Sequence, residues 1–235
     1  MVTPEELLST IRTEYEKRRG DSPTLRALLE KVQAGRANYL DAHEYAYDVG
    51  AILSKIFGET ITVDVLPDGM ISFDDALKVI GESLRMNFDD VSGVTMDIQR
   101  SLNMSAGLGL RPVSPQLNEA RIKGMSTLIS SGPVDQVMDE LKTAIETFSE
   151  HTVDDAIKVN ADRHYQAGLR PRIIRKAEPG CCKWCSDLTG EYEYPIHNDD
   201  VFRRHQRCRC TTEYDPGDGS NKRQNVWNQS EWRTI

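Results

Sequence analysis

The sequence predicts an α+β protein, a predominantly helical body carrying a small C-terminal Cys/His-rich antiparallel β element. Three observations carry this. Capped, amphipathic segments with helical spacing recur from residue 4 to residue 167. After Gly168 the character changes to short β-branched or aromatic segments between turns. All five cysteines, with two of the five histidines, fall within residues 181–210, "CCKWCSDLTGEYEYPIHNDDVFRRHQRCRC".

The elements follow in order. In "TPEELLSTIRTEYEKRR", Thr3 reads as an N-cap, Pro4 as the first helical residue and Glu6 as the partner of a capping box. "SPTLRALLEKVQAG" repeats the signal with Ser22 and Pro23 and closes on Gly35, and the next helix sets Tyr39, Leu40, Tyr47 and Ile52 among its apolar positions. A short β-prone run in "ETITVDVLPDG" precedes a Pro-Asp-Gly turn at 67–69, and a further helix starts near Ser72 and continues through 87–103. "SAGLGLRPVSP" at 105–115 reads as a loop between helical layers. Helical signal then resumes from Gln116 to Ala167, broken by "SSGP" at 130–133, and Gly168 is the expected C-cap. "LRPRIIRKAE", "GEYEYPI" and "CRCTTEYD" read as strands. The expected organisation is a helical body at 1–167, the β element at 168–215 and an extended polar tail at 216–235.

Composition bounds the function. A chain of 235 residues can build a sizeable core. Its apolar runs are far shorter than the roughly 20 residues of a membrane span. The N-terminal stretch lacks the charge and apolar pattern of a signal peptide, so cytosolic synthesis is expected, where clustered thiols stay reduced. The net charge of −8 argues against nonspecific nucleic-acid binding by the whole surface. Basic residues nevertheless gather between Arg163 and Arg209, and Arg172, Arg175, Arg203, Arg204 and Arg207 are the candidates for phosphate contact. The alternative is that they solubilise a small β element.

Cys182 and Cys185 form C-x2-C, and His205, Cys208 and Cys210 form H-x2-C-x-C. Zinc takes four nitrogen or sulfur ligands in a tetrahedron, which two such pairs supply. Cys182, Cys185 and His205 are the first three expected ligands. Spacing leaves the fourth open between Cys208 and Cys210, because residues two apart on a strand share a face. Cys181 is a spare thiol or exchanges with Cys182. Four protein ligands leave no open position, so one structural zinc is expected rather than a catalytic one. Reduced packed thiols and disulfides are the alternatives. His197 with Asp199 and Asp200 reads as an exposed turn rather than a general base, and Trp184, Tyr192 and Tyr194 as a miniature core rather than a base-stacking surface. His43, His151 and His164 read as surface or satisfied core residues.

The stretch "GCCKWCSDLTGEYEYP…DVFRRHQRCRCTTEYDPG" resembles the C-terminal signature of the phage head-morphogenesis, or phage Mu F-like minor head protein, family. The matching residues are Cys182, Cys185, Leu188, Gly190, His205, Cys208 and Cys210. "NADRHYQAGLRPRIIRKAEPG", with Arg175 on the strand, is similar to the family's helix-then-strand entry, and "GSNKRQNVW" resembles tails of prophage versions. The resemblance covers roughly residues 155–230. It implies a non-enzymatic minor capsid protein of a tailed phage or prophage, working in head assembly near the portal inside the virion. It further implies the portal or major capsid protein as partners, and packaged DNA as a contact. The sequence departs from the family in its aromatic "GEYEYP" and in "RRHQRC", and carries no recognisable fused toxin domain. The competing readings are a zinc-fold nucleic-acid-binding protein and a His-Asn-His-like nuclease, the latter requiring a histidine outside the zinc to activate water.

Overall fold

The computed structural model describes residues 2–218. Seven helices account for most of it: α1 (Pro4–Asp21), α2 (Pro23–Gln33), α3 (Tyr39–Thr60), α4 (Phe73–Ser105), α5 (Glu119–Ile129), α6 (Val134–Gln166) and the short α7 (Lys183–Asp187). Three strands, β1 (Arg172–Lys176), β2 (Gly190–Glu193) and β3 (Thr211–Asp215), form one antiparallel sheet of order β2-β1-β3 near the C-terminal end. The predicted α+β class, helical body first, is the observed one. No helix among the described residues is long and apolar enough to cross a membrane.

Helix starts follow from their caps. Thr3 accepts the Glu6 amide while the Glu6 carboxylate takes the Thr3 N–H, and Ser22 and Ser72 accept the amides of Leu25 and Asp75. Asn38 begins α3 with a second reciprocal box, through Asp41. The two 33-residue helices, α4 and α6, each extend about 50 Å at 1.5 Å per residue. Together with α1 they enclose α3, whose Ala46, Val49, Leu53, Ile56 and Phe57 are all fully buried. At Gly50 the packing against α6 is so close that a Cβ would lie 2.8 Å from Ser149 Oγ and 3.2 Å from the Glu146 Cα. Gly168 follows α6 at φ +89°, where a side chain would be strained, as its role in ending the helix requires.

The β-prone run before Pro67 is a correction to the sequence reading. Residues 61–66 form turns, and the residues at 67–69 a single 3-10 turn, with Asp68 at φ 52°. Ile61 and Leu66 are buried in the helical core while Val63 stays exposed. With no strand alongside to complete a ladder, β propensity alone does not make one.

The apolar core is continuous from helices to sheet. Ile173 of β1, Tyr214 of β3 and Val201 and Phe202 of the intervening 3-10 turn (Asp199–Phe202) join the helical cluster. Cys185, Cys208 and Cys210 form a second, separate buried cluster with Ala177, Cys181 and Trp184 against it. The chain leaves β3 at Asp215. Of the expected tail, residues 219–235 lie outside the described residues, and so does the whole of the "GSNKRQNVW" similarity.

Candidate metal centre

Sheet topology brings the two cysteine motifs together. β1 runs toward Lys176, while antiparallel β2 starts at Gly190 opposite Arg175 and β3 starts at Thr211 opposite Lys176. The C-x2-C segment enters the turn before β2, and H-x2-C-x-C the turn before β3, so both lie at one end of the sheet. Cys182 is the N-cap residue of α7, and one helical turn carries Cys185 to the same side.

The donor atoms converge. His205 Nε2 lies 3.1 Å from Cys182 Sγ and 3.1 Å from Cys185 Sγ, and Cys185 Sγ lies 3.5 Å from Cys208 Sγ. Cys182, Cys185 and His205 form one group with metal-binding spacing, and Cys185, Cys208 and Cys210 a second that shares Cys185. Thiol and imidazole donors at these separations suit a tetrahedral, borderline-soft cation, so the residues fit a metal ion. Burial pushes the Cys185 thiol well up, and the neighbouring Cys208 and Cys210 push it further. Several thiolates crowded in one buried cluster repel one another, and a bound cation removes that penalty.

The histidine is pre-oriented. A backbone carbonyl only accepts, so the 2.6 Å contact of His205 Nδ1 with the Gln206 carbonyl places the proton on Nδ1. Nε2 then presents its lone pair to the two sulfurs, the arrangement that outer partners of a ligating histidine enforce. Trp184 packs edge-on to this ring at 5.8 Å. Tyr192 donates to the Leu188 carbonyl at 2.9 Å, and Tyr194 to Asp162 at 3.2 Å, both half-buried, as the core reading of these aromatics expects.

Two arginines hold the ligand-bearing loop from inside, and here the phosphate-contact expectation is corrected. Arg175 is 1% exposed and Arg204 8%. Arg175 donates to the Val201 and Arg203 carbonyls at 3.1 and 3.0 Å and to Thr212 Oγ1 at 3.2 Å, and its Nη2 lies 3.8 Å from Cys208 Sγ. Arg204 pairs with Asp154 of α6 and donates to the Cys208 carbonyl and to His43 Nδ1, each at 3.2 Å. A guanidinium buried this deeply, with its terminal N–H groups given to internal acceptors, cannot also meet phosphate. Arg172 pairs with Asp215 at 2.8 Å, Arg203 with Asp200 at 2.9 Å, and Arg207 sits exposed in the knuckle at φ 59°. The remaining surface positions are thus Arg172, Arg203 and Arg207, two of them already in ion pairs.

The buried network around Asp154 was invisible in the sequence. Burial alone would raise the Asp154 carboxyl, but Arg204 draws it down to about 2. Glu150, 3.5 Å from Arg204, is pushed by burial up to about 7 against the pull of that same guanidinium. Thr212 of β3 donates to Asp154 at 3.0 Å, fixing sheet to helix. Burial, then the Arg204 charge, lowers His43 to about 3, so it is a neutral core histidine. His164 is likewise buried, stacked on Tyr214 and hydrogen-bonded to its hydroxyl. His151 pairs with Asp155 at 3.0 Å. His197 is exposed, and its acidic neighbours are occupied, Asp199 by Lys158 at 2.7 Å and Asp200 by Arg203. Only the two cysteine-containing groups qualify as metal sites among the described residues.

No protein-family model, curated protein or solved structure matches this chain.

Proposed function

We propose that the cluster holds one structural zinc through Cys182, Cys185, His205 and Cys208, and that the chain is a non-enzymatic minor capsid or head-morphogenesis protein of a tailed phage or prophage. The observation that carries the metal reading is the convergence of His205 Nε2 with the Cys182 and Cys185 sulfurs, and the 3.5 Å approach of Cys208 Sγ to the Cys185 sulfur they share. Cys208 is favoured over Cys210 as fourth ligand because it lies beside Cys185 and because Arg175 approaches its sulfur, the contact that stabilises a metal-bound thiolate. Cys210 remains a neighbouring thiol within the second group. Filled by four protein ligands, the ion has no open position for water and acts by holding the fold.

The head-protein reading rests on the motif residues Cys182, Cys185, Leu188, Gly190, His205, Cys208 and Cys210 and on their union into one element. Its partners would be the portal protein or the major capsid protein, with no membrane role, and its place the capsid interior. Contact with packaged DNA would fall to exposed basic residues such as Arg203 and Arg207, not to Arg175 or Arg204.

Metal content by mass spectrometry on protein purified without chelator, with a thiol count under denaturing conditions, tests the zinc. One zinc per chain with all five thiols free supports the staple. No metal and fewer free thiols assigns the cluster to disulfides. The assembly reading is tested separately, by deleting the coding segment from the parent phage or prophage and counting filled heads. Undiminished yield of infectious particles would reject it whatever the metal result.

A further inference from the structure

A second site lies on the helices, bordered by Arg204 and Gln206 of the ligand-bearing loop. A cleft of about 310 Å³ runs along α5 and α6, at the lower end of the roughly 300–1,000 Å³ usual for small-ligand sites. From α5 it is lined by Arg121, Gly124, Met125 and Leu128, the i, i+3, i+4, i+7 face of one helix. Thr147 and Phe148 line it from α6. The walls are mainly apolar, and Met125 and Phe148 are themselves buried.

Two features of this cleft have no structural role within the chain. Arg121 is half-buried, yet its guanidinium makes no hydrogen bond or ion pair among the described residues. The nearest acids are engaged elsewhere, Asp154 with Arg204 and Asp155 with His151. Burial lowers the Arg121 guanidinium from its usual range, with Asp155 and Asp154 opposing this from too far to pair. A cation in an apolar groove without a partner is costly, and a ligand anion removes the cost. Arg204, at the cleft's other border, does not share this feature, because its donors are taken. The second feature is Gly124. It lies inside α5, where glycine costs about 1 kcal/mol relative to alanine, and a Cβ built there meets nothing within 4 Å. Packing does not demand the glycine; it is exposed, and its effect is to leave that wall of the groove open beside the unpartnered charge.

We propose that this cleft binds a small amphipathic carboxylic acid, the carboxylate held by Arg121 and the aliphatic chain laid over Gly124 against Met125, Leu128 and Phe148. Charge complementarity selects an anion. A carboxylate accepts the paired N–H donors of a guanidinium, and the apolar walls select the chain attached to it. The carboxylate reading uses none of the proposed metal ligands and does not rest on the capsid reading.

The test uses the full chain labelled with ¹³C-methyl methionine, with octanoate as the probe. The Met125 resonance, identified through Met125→Leu, should move saturably with added octanoate. Octanol and octylamine should bind at least about tenfold more weakly, the ratio expected for loss of one charge-assisted hydrogen bond. Arg121→Gln should weaken octanoate by a similar factor. Gly124→Leu should abolish binding while keeping or raising the thermal midpoint, since it fills the groove and improves helix propensity. The unchanged midpoint separates a blocked site from a damaged fold. No saturable Met125 shift, or octanoate binding unaltered in Arg121→Gln or Gly124→Leu, overturns the proposal. Tighter binding of N-acetyl-Glu-Leu-Leu-amide than of octanoate also overturns it, assigning the groove to a polypeptide segment instead.

Discussion

Replacing Asp154 by alanine is the most informative single perturbation of this fold. Asp154 is fully buried and accepts from Arg204 through both carboxylate oxygens and from Thr212 Oγ1 at 3.0 Å. The substitution leaves the Arg204 guanidinium buried without its main counter-charge, a defect that typically costs about 3–5 kcal/mol. Glu150, 3.5 Å from Arg204 and held near pKa 7 by burial, is free to ionise once the competing carboxylate is gone. That relief sets the expectation at the lower end, about 3 kcal/mol, a large part of the roughly 5–15 kcal/mol that holds a domain together. For a chain of this size the thermal midpoint should fall by about 6–12 °C. Urea unfolding followed by far-ultraviolet circular dichroism, with zinc present throughout, measures it. Asp154→Leu combined with Arg204→Met should cost less than Asp154→Ala alone, because a buried pair replaced as a unit leaves no orphaned charge. A loss below about 1 kcal/mol for Asp154→Ala, or strict additivity of the pair, would refute the view that this ion pair docks the sheet on the helices.

Other consequences can be checked in the same preparations. Under the proposed ligand set, Cys185→Ser and Cys208→Ser should each lose bound metal, whereas Cys181→Ser and Cys210→Ser should retain it; equal metal content in all four variants would contradict that assignment. Chelation of the wild type should change Trp184 fluorescence, since that ring packs on His205, while far-ultraviolet dichroism stays close to its starting value; a Trp227→Phe, Trp232→Phe background isolates the signal. His164 is held at about 4 by burial and the Arg163 charge, below the roughly 6.5 of an unfolded histidine. Its contribution is therefore complete above pH 6.5 and is lost as pH falls from 6.5 toward 4, by up to about 1.4 kcal/mol per pH unit. In paired pH series His164→Gln should lack this part of the slope, and identical slopes would contradict it. Arg207→Gly should be neutral or raise stability by up to about 1 kcal/mol at the same zinc content, because Arg207 sits at φ 59° where glycine is unstrained.

What the sequence made legible was local. Caps at Thr3, Ser22 and Ser72, the breaks at 105–115 and 130–133 and the stop at Gly168 all depend on neighbours in the chain, and the helices obey them. The strands were readable for the same reason. The run before Pro67 failed because a strand needs a partner that local propensity does not supply. The cysteine spacing foretold which residues gather, since a C-x2-C turn constrains its own geometry. It could not foretell that Arg175 and Arg204 point inward. A cluster of basic residues in sequence looks the same whether it faces solvent or reaches acceptors brought in from α6 and from β3. Asp154 and Arg204 are fifty residues apart and become partners only after the sheet docks. Arg121 was equally silent, because an unpaired arginine is unremarkable until its surroundings are shown to be apolar.

The two arginine clamps explain why the cysteine element need not build a core of its own. Ile173, Val201, Phe202 and Tyr214 commit one side of it to the helical core, leaving the far end, where Cys185, Cys208 and Cys210 cluster, with few apolar partners. That end is held by directional contacts instead. Arg175 fixes the carbonyls of Val201 and Arg203, Arg204 fixes that of Cys208, and His205 is turned by Gln206 toward the sulfurs. A short loop held at several carbonyls loses much of its freedom before any ion arrives, so ion binding has less ordering entropy to overcome. On this view the arginines and the proposed zinc would act in series: loss of Arg175 should weaken metal affinity without removing a ligand, and added zinc should recover part of the stability that Arg175→Met loses. If zinc affinity is the same in Arg175→Met and wild type, the loop is ordered by the ion alone, and the buried guanidinium serves only to satisfy the carbonyls around it.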